Sequence, residues 1–235
     1  MIAALMQPYL LPYIGYFQLI AAADVFVIYD DVQYMRGGWI NRNRILLNGA
    51  PHWLTLPVEH SGEVRTQIRD TRYQLSASNL RKLTGQLDAA YRKAPWAKAV
   101  QPMLGQIFAT PEPNVAAFNA LAIGAVCEAL GIGTEIVRSS TLGRDTSLGG
   151  QEAVIDICRR LGADHYVNAA GGVELYQAQA FAEQGLALSF IRSQAPPYRQ
   201  FGEPFVANLS IADLLVFCDA EQRAEQLAAY SLAPA

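Results

Sequence analysis

The chain has 235 residues, 51% of them hydrophobic and 17% charged, a composition that builds a packed core and excludes a disordered chain. A formal charge of −3 argues against a protein held to nucleic acid by its net charge, although a local basic patch can still take phosphate. No apolar run reaches the roughly 18 residues of a membrane span, and the start lacks a basic leader and cleavage site, so no membrane span and a cytoplasmic location are expected.

Ile2–Met6 is a short apolar run that ends sharply at Gln7-Pro8 and reads as a buried strand. Leu11–Ala22 has a helix-like apolar face, and Val25–Tyr29, apolar throughout, reads as a second strand of a covered parallel sheet. Strand, turn, helix and strand in this order form a βαβ unit. Asn43–Leu47 and His52–Val58, joined through Asn48-Gly49, read as a hairpin with a type I′ turn. Leu75–Tyr91 and Asn114–Leu130 read as two helices linked through Ala109–Pro113, with a stop at Gly131-Ile132-Gly133.

The α/β alternation then resumes. Glu135–Arg138 is a predicted strand, Gly150–Leu161 a helix, His165–Asn168 a strand, Leu175–Gln184 a helix and Leu186–Ile191 a strand. Ser210–Phe217 is the last predicted helix, capped by Ser210 with Asp213 in a capping-box-like position, and residues 231–235 are expected to fray. The expected fold is a single α/β domain over residues 1–235: a Rossmann-like parallel sheet with flanking helices, a β-hairpin and a helical insertion at about residues 75–130.

Polar aromatic and amide groups crowd the first segment: Gln7, Tyr9, Tyr13, Tyr16, Gln18, Tyr29, Gln33 and Tyr34. Such groups are costly in a core unless bonded, so they suit a polar pocket. Pro12–Tyr16 opens a helix whose N–H groups can hold an anion, and Gly15 permits close approach there. Asp30 and Asp31 close the second strand; neighbours on an extended strand face opposite ways, so they are not expected to share one proton. One of them could orient an amine or hydroxyl, or hold Mg²⁺.

Arg42 and Arg44, two apart, share a strand face and suit a bidentate grip on phosphate or carboxylate, with Trp39, Asn41 and Asn43 beside them. Ser139 and Ser140 follow one strand, and Asn168, Gly171 and Gly172 follow another, all at the carboxyl edge where α/β sheets bind ligands. Three scattered cysteines (Cys127, Cys158, Cys218) and three scattered histidines (His52, His60, His165) give no zinc spacing and no catalytic triad. The cysteines are expected to be buried reduced thiols.

The runs Met6–Phe17, Tyr29–Tyr34, Gly38–Ile45 and Leu209–Leu215 together resemble the WbqC-like family, and the resemblance covers nearly the whole chain. That resemblance implies a place in O-antigen or other surface-polysaccharide biosynthesis, with amino-acyl transfer onto a sugar as one suggested chemistry. The strand–helix–strand start also resembles nucleotidyltransferases with a His-x-Gly-His signature, with Tyr13 and Tyr16 standing where those histidines would be. A tyrosine brings no positive charge, so it stabilises a transferring phosphoryl group less well.

The leading expectation is a transferase acting on an activated small molecule, amino-acyl or nucleotide-linked sugar, that carries phosphate or carboxylate. Tyr9 or Tyr16 would be the proton donor if its pKa were lowered, and Asp30 would orient the acceptor. An ATP- and Mg²⁺-dependent carboxylate-activating ligase and a non-catalytic scaffold are the alternatives. The cofactor is left open, as is association with a second copy of the chain.

Overall fold

Alternation of side chains along the first strand sets the layers. In β1 (Ile2–Met6), Ala4 points into one apolar cluster, and Ala3 and Leu5 point into another on the opposite face. The same split recurs in β2 (Val25–Ile28): Phe26 and Ile28 face one side and Val27 the other. The structure, a computed structural model, describes residues 1–59 and 66–235.

Between β1 and β2 lies α1 (Ile14–Ala21), shorter than the predicted helix because Pro12 and a left-handed Leu11 (φ 42°) precede it. After β2 come the paired strands β3 (Arg42–Leu47) and β4 (Ala50–Thr55), turned through Asn48 and Gly49, both at positive φ as a type I′ turn requires. The expected two-helix insertion is in fact three helices, α2 (Ala77–Tyr91), α3 (Ala97–Ala109) and α4 (Val115–Leu130). α3 carries Pro102 in its second turn, where one helix hydrogen bond is forgone, and its buried stripe of Val100, Leu104, Ile107 and Phe108 has helical spacing.

β5 (Glu135–Arg138), α5 (Gly150–Leu161) and β6 (His165–Ala169) follow the expected rhythm. The expected Leu175–Gln184 helix is only a short 3-10 turn over Ala170–Leu175 and the brief α6 (Ala178–Ala182), which ends before Gly185 at positive φ. β7 (Ala187–Ser193) and α7 (Ile211–Phe217) come next.

The C-terminus departs from expectation. Asp219 and Gln222 form the capping box of a further helix, α8 (Ala220–Ala228), and the supposedly frayed end is strand β8 (Tyr230–Pro234). Edge strand β7 leaves its backbone groups open, and β8 closes them by antiparallel pairing.

The sheet order is β5-β2-β1-β6-β7-β8, parallel except for β8. The chain builds outward from β1 on one side and then crosses to β6 on the other. The reversal opens a crevice above the carboxyl ends of β1 and β6. α1 packs with α8, β6 and β7 on one face, and α5 covers β1 on the other. No helix among the described residues is long and apolar enough to cross a membrane.

The capping-box role predicted for Asp213 is not what its side chain does. Asp213 Oδ2 accepts from the Tyr198 hydroxyl (2.6 Å) and from Gln200 Nε2 (2.8 Å), tying the 198–206 segment to α7, while Ser210 caps the helix alone. Burial holds the Asp213 carboxyl above its ordinary 3.8, although those two bonds pull the other way. The folded protein therefore keeps this proton to a higher pH than the unfolded chain does. The resulting stabilisation is full below 3.8 and is lost as pH rises through the raised folded value. Asp213→Asn cannot ionise and should flatten that decline, seen in melting temperatures taken between about pH 4 and pH 8. Parallel curves for the two proteins would refute it.

Candidate functional site

The loop leaving β1 cannot satisfy its own backbone, because Pro8 and Pro12 interrupt it and Leu11 is left-handed. Side chains from four other places do so. The Tyr16 hydroxyl donates to the Gln7 carbonyl (3.0 Å), and Asn119 Nδ2 of α4 donates to Pro8 O (2.9 Å) and Ile40 O (2.8 Å). Asn43 Nδ2 of β3 donates to Leu10 O (3.0 Å) and Leu11 O (2.8 Å), and Ser210 Oγ donates to Leu11 O (2.9 Å). Asn43, Asn119 and Ser210 are all buried. A wall of fixed shape results.

Above it lies a cleft of about 720 Å³ at the β1/β6 crevice. Among the predicted site residues, Gln7, Tyr9, Tyr13, Gly15, Tyr16, Trp39, Asn43, Arg44 and Asn168 line it, as do Gly171 and Gly172. Sequence reading passed over Tyr166, Tyr176 and Asn208, which also line it. Tyr166 carried no such signal, because it is the second residue of β6, away from the carboxyl end where ligand groups are sought.

Two glycines seat polar side chains flat against this wall. A Cβ on Gly15 would lie 2.5–2.7 Å from the phenol ring of Tyr13, and a Cβ on Gly172 would lie 2.5 Å from Asn168 Nδ2. Close approach at Gly15 was expected to serve a ligand; the group received is Tyr13. Arg44 is the cation of the cleft: its guanidinium lies over Trp39 (5.6 Å) and donates to Asn208 O (3.3 Å), while its buried Nε has no partner among the described residues. The start of α1 adds positive potential, having no side-chain cap and no acid in its first turn.

Six tyrosines line the cleft: Tyr9, Tyr13, Tyr16, Tyr29, Tyr166 and Tyr176. Burial pushes the phenols of Tyr9, Tyr13 and Tyr16 up, the opposite of the lowering that an efficient proton donor needs. They stay neutral, and the Tyr16 hydroxyl is already spent on the Gln7 carbonyl. No carboxylate appears in the described lining.

Asp30 and Asp31 sit outside that lining, at the neighbouring edge where β2 and β5 end. Although adjacent in sequence, both reach Ser139 Oγ, at 3.1 Å and 2.5 Å, because the backbone has left the extended strand. Asp30 also accepts from Ser140 N (3.0 Å) and Ser140 Oγ (2.8 Å). Asp31 pairs with Arg144 Nε (2.6 Å), a buried partner that sequence reading missed, since a lone arginine in a loop carries no signal. Every oxygen of the two carboxylates is engaged within the protein.

The hairpin divides the remaining residues. Arg42 and Arg44 share a face, as expected, but they do not converge: Arg42 stacks on Trp53 (4.1 Å) and donates to Gly37 O and Gly38 O. With Tyr34 and Asn41 it lines a second cavity. Gln33 bridges to Gln67 and lines neither. His52 bonds Gln86 and His165 bonds Ser189, whereas His60 lies outside the described residues. Cys127, Cys158 and Cys218 are buried, and burial pushes their thiols up to about 12, about 12 and about 11, so they remain unreactive thiols.

The model of the WbqC-like protein family matches residues 7–225, which include the loop, the hairpin and all of the described cleft lining but Leu5 and Met6. A protein of Mycobacterium tuberculosis, named "Uncharacterized protein Rv1507c", is 29% identical over 222 residues, covering 93% of this chain and 94% of its own. No solved structure matches.

Removing the Asn119 amide strands Pro8 O, while Ile40 O and the Tyr73 hydroxyl keep their bond to each other (2.9 Å). Asn119→Ala should therefore destabilise the fold by about 2 kcal/mol in urea unfolding, several times a surface substitution. A loss under about 1 kcal/mol would show that the clamp is dispensable.

Proposed function

The chain belongs to the WbqC-like protein family, and from that premise we propose that the β1/β6 cleft is the donor site of a transferase. It would take an activated small molecule, amino-acyl or nucleotide-linked sugar, by its phosphate or carboxylate. The observation that carries this reading is the pairing in one cleft of Arg44, whose buried Nε has no partner among the described residues, and the uncapped start of α1. An anion there gains a charge-assisted hydrogen bond and the helix dipole together, with no carboxylate in the described lining to oppose it.

The tyrosines would surround the rest of the ligand with flat apolar faces and neutral hydroxyl donors. Catalysis on this reading is positioning and electrostatic stabilisation rather than proton transfer by a tyrosine. Surface-polysaccharide biosynthesis as the setting rests on the family resemblance. ATP-dependent activation draws less support, because Mg²⁺ is usually anchored by a carboxylate and the described lining has none.

A thermal-shift screen should find stabilisation by nucleotide sugars or aminoacyl phosphates and not by the corresponding neutral sugars or amides. Arg44→Ala should weaken the stabilising ligand about tenfold or more, while Arg36→Ala, outside this cleft, leaves it unchanged. Equal affinity of the Arg44 variant and the parent would remove the reading.

A further inference from the structure

The β3–β4 hairpin has a second cavity on its other side, of about 590 Å³, within the size range of small-molecule sites. Its chemistry differs from that of the first. Where the β1/β6 cleft is walled by tyrosines, the described lining of this cavity has one, Tyr34, and beside Pro57 and Val58 it is mostly polar or charged, with Asn41, Thr71 and Gln74 among it. Its described lining holds three arginines, Arg36, Arg42 and Arg72, against two carboxylates, Glu59 and Asp70, an excess of one positive charge.

The three differ in how they are held. Arg42 is preset by the Gly37 and Gly38 carbonyls and by the Trp53 face, which leaves N–H groups of its guanidinium free toward the cavity it lines. Arg36 makes no hydrogen bond or ion pair among the described residues. Arg72 has only a loose, exposed pairing with Glu59 at 3.9 Å, which contributes little. Both Arg36 and Arg42 bear on the Tyr34 hydroxyl, which is fixed by donating to Asn41 Oδ1 (2.9 Å). Asn41 is fixed in turn by donating to Leu56 O (3.1 Å). A rigid polar floor thus lies beneath one preset and two adjustable guanidiniums.

We propose that this cavity is a second binding site, specific for a polyhydroxylated ligand carrying phosphate, the chemistry of a sugar phosphate. The arginines would neutralise the phosphate, and the Glu59 and Asp70 carboxylates with the Gln74 amide oxygen would accept from sugar hydroxyls, since Thr71 Oγ1 and Asn41 Nδ2 already donate to Gln67 O and Leu56 O. The site stands on its own residues, independent of the donor reading of the first cleft.

Calorimetric titration of the full chain with glucose 6-phosphate, inorganic phosphate and glucose tests it. Glucose 6-phosphate should bind at least about tenfold more tightly than glucose, and more tightly than inorganic phosphate. The Arg36→Gln/Arg72→Gln pair should weaken it about tenfold or more, Arg36→Gln alone should weaken it by less, and Arg36→Lys/Arg72→Lys should recover part of the loss. Arg44→Ala, in the other cleft, should leave it unchanged. Should the double variant fail to fold by circular dichroism, the single Arg36→Gln variant, altered at an exposed side chain, decides. No binding, binding indifferent to Arg36 and Arg72, or binding abolished by Arg44→Ala would overturn the proposal. The last outcome would move the ligand to the first cleft without harming the donor reading, and loss of nucleotide-sugar binding alone would spare this one.

Discussion

The amides of Asn43 and Asn119 hold the backbone that leaves β1, and most of the candidate site follows from where they stand. A buried carbonyl without a partner costs about 1–3 kcal/mol, and the loop with Pro8, Leu11 and Pro12 presents several of them. The loop therefore folds only with β3, α4 and the start of α7 brought against it. Satisfying Leu10 and Leu11 through Asn43 sets the next side chain on β3, Arg44, at the edge of the cleft. The requirement to pair carbonyls thus delivers a cation to the cleft.

Charge is sorted with the same economy. Asp30 and Asp31 lie at the carboxyl edge of the sheet, close to where an anion would bind in such folds, yet they are consumed by Ser139, Ser140 and Arg144. They lock the ends of β2 and β5 together and keep their negative charge compensated. The adjoining cleft is left with Arg44 and the start of α1 as its electrostatic features. A carboxylate turned a few ångströms toward the cleft would weaken both.

Local signals located the parallel strands, α1, α5 and the hairpin, because uninterrupted apolar runs, the helical stripe of α5 and an Asn-Gly turn each depend on neighbours in sequence. α3 was lost to Pro102 despite its apolar spacing, and β8 was lost because an edge strand takes its definition from β7 rather than from its own residues. The cleft was legible as a place, since β1 and β6 had to end together at the crevice. Its inventory was only partly legible. Arg42 and Arg44 share a face by simple alternation, but the two indoles that send them to opposite sides are a matter of packing. The pairing of Asp31 with Arg144 spans 113 residues, and no local pattern announces it.

The layered stack of Arg42, Trp53, Trp39 and Arg44 has an optical consequence. Two of the chain's three tryptophans sit in it, their ring centroids 5.4 Å apart and each beside a guanidinium, between the two cavities. Both indoles are partly exposed, so their emission responds to the charge and water around them. An anion drawn to either arginine changes the field on the adjoining ring. The hairpin is thereby a built-in fluorophore that reports from both of its sides without any label.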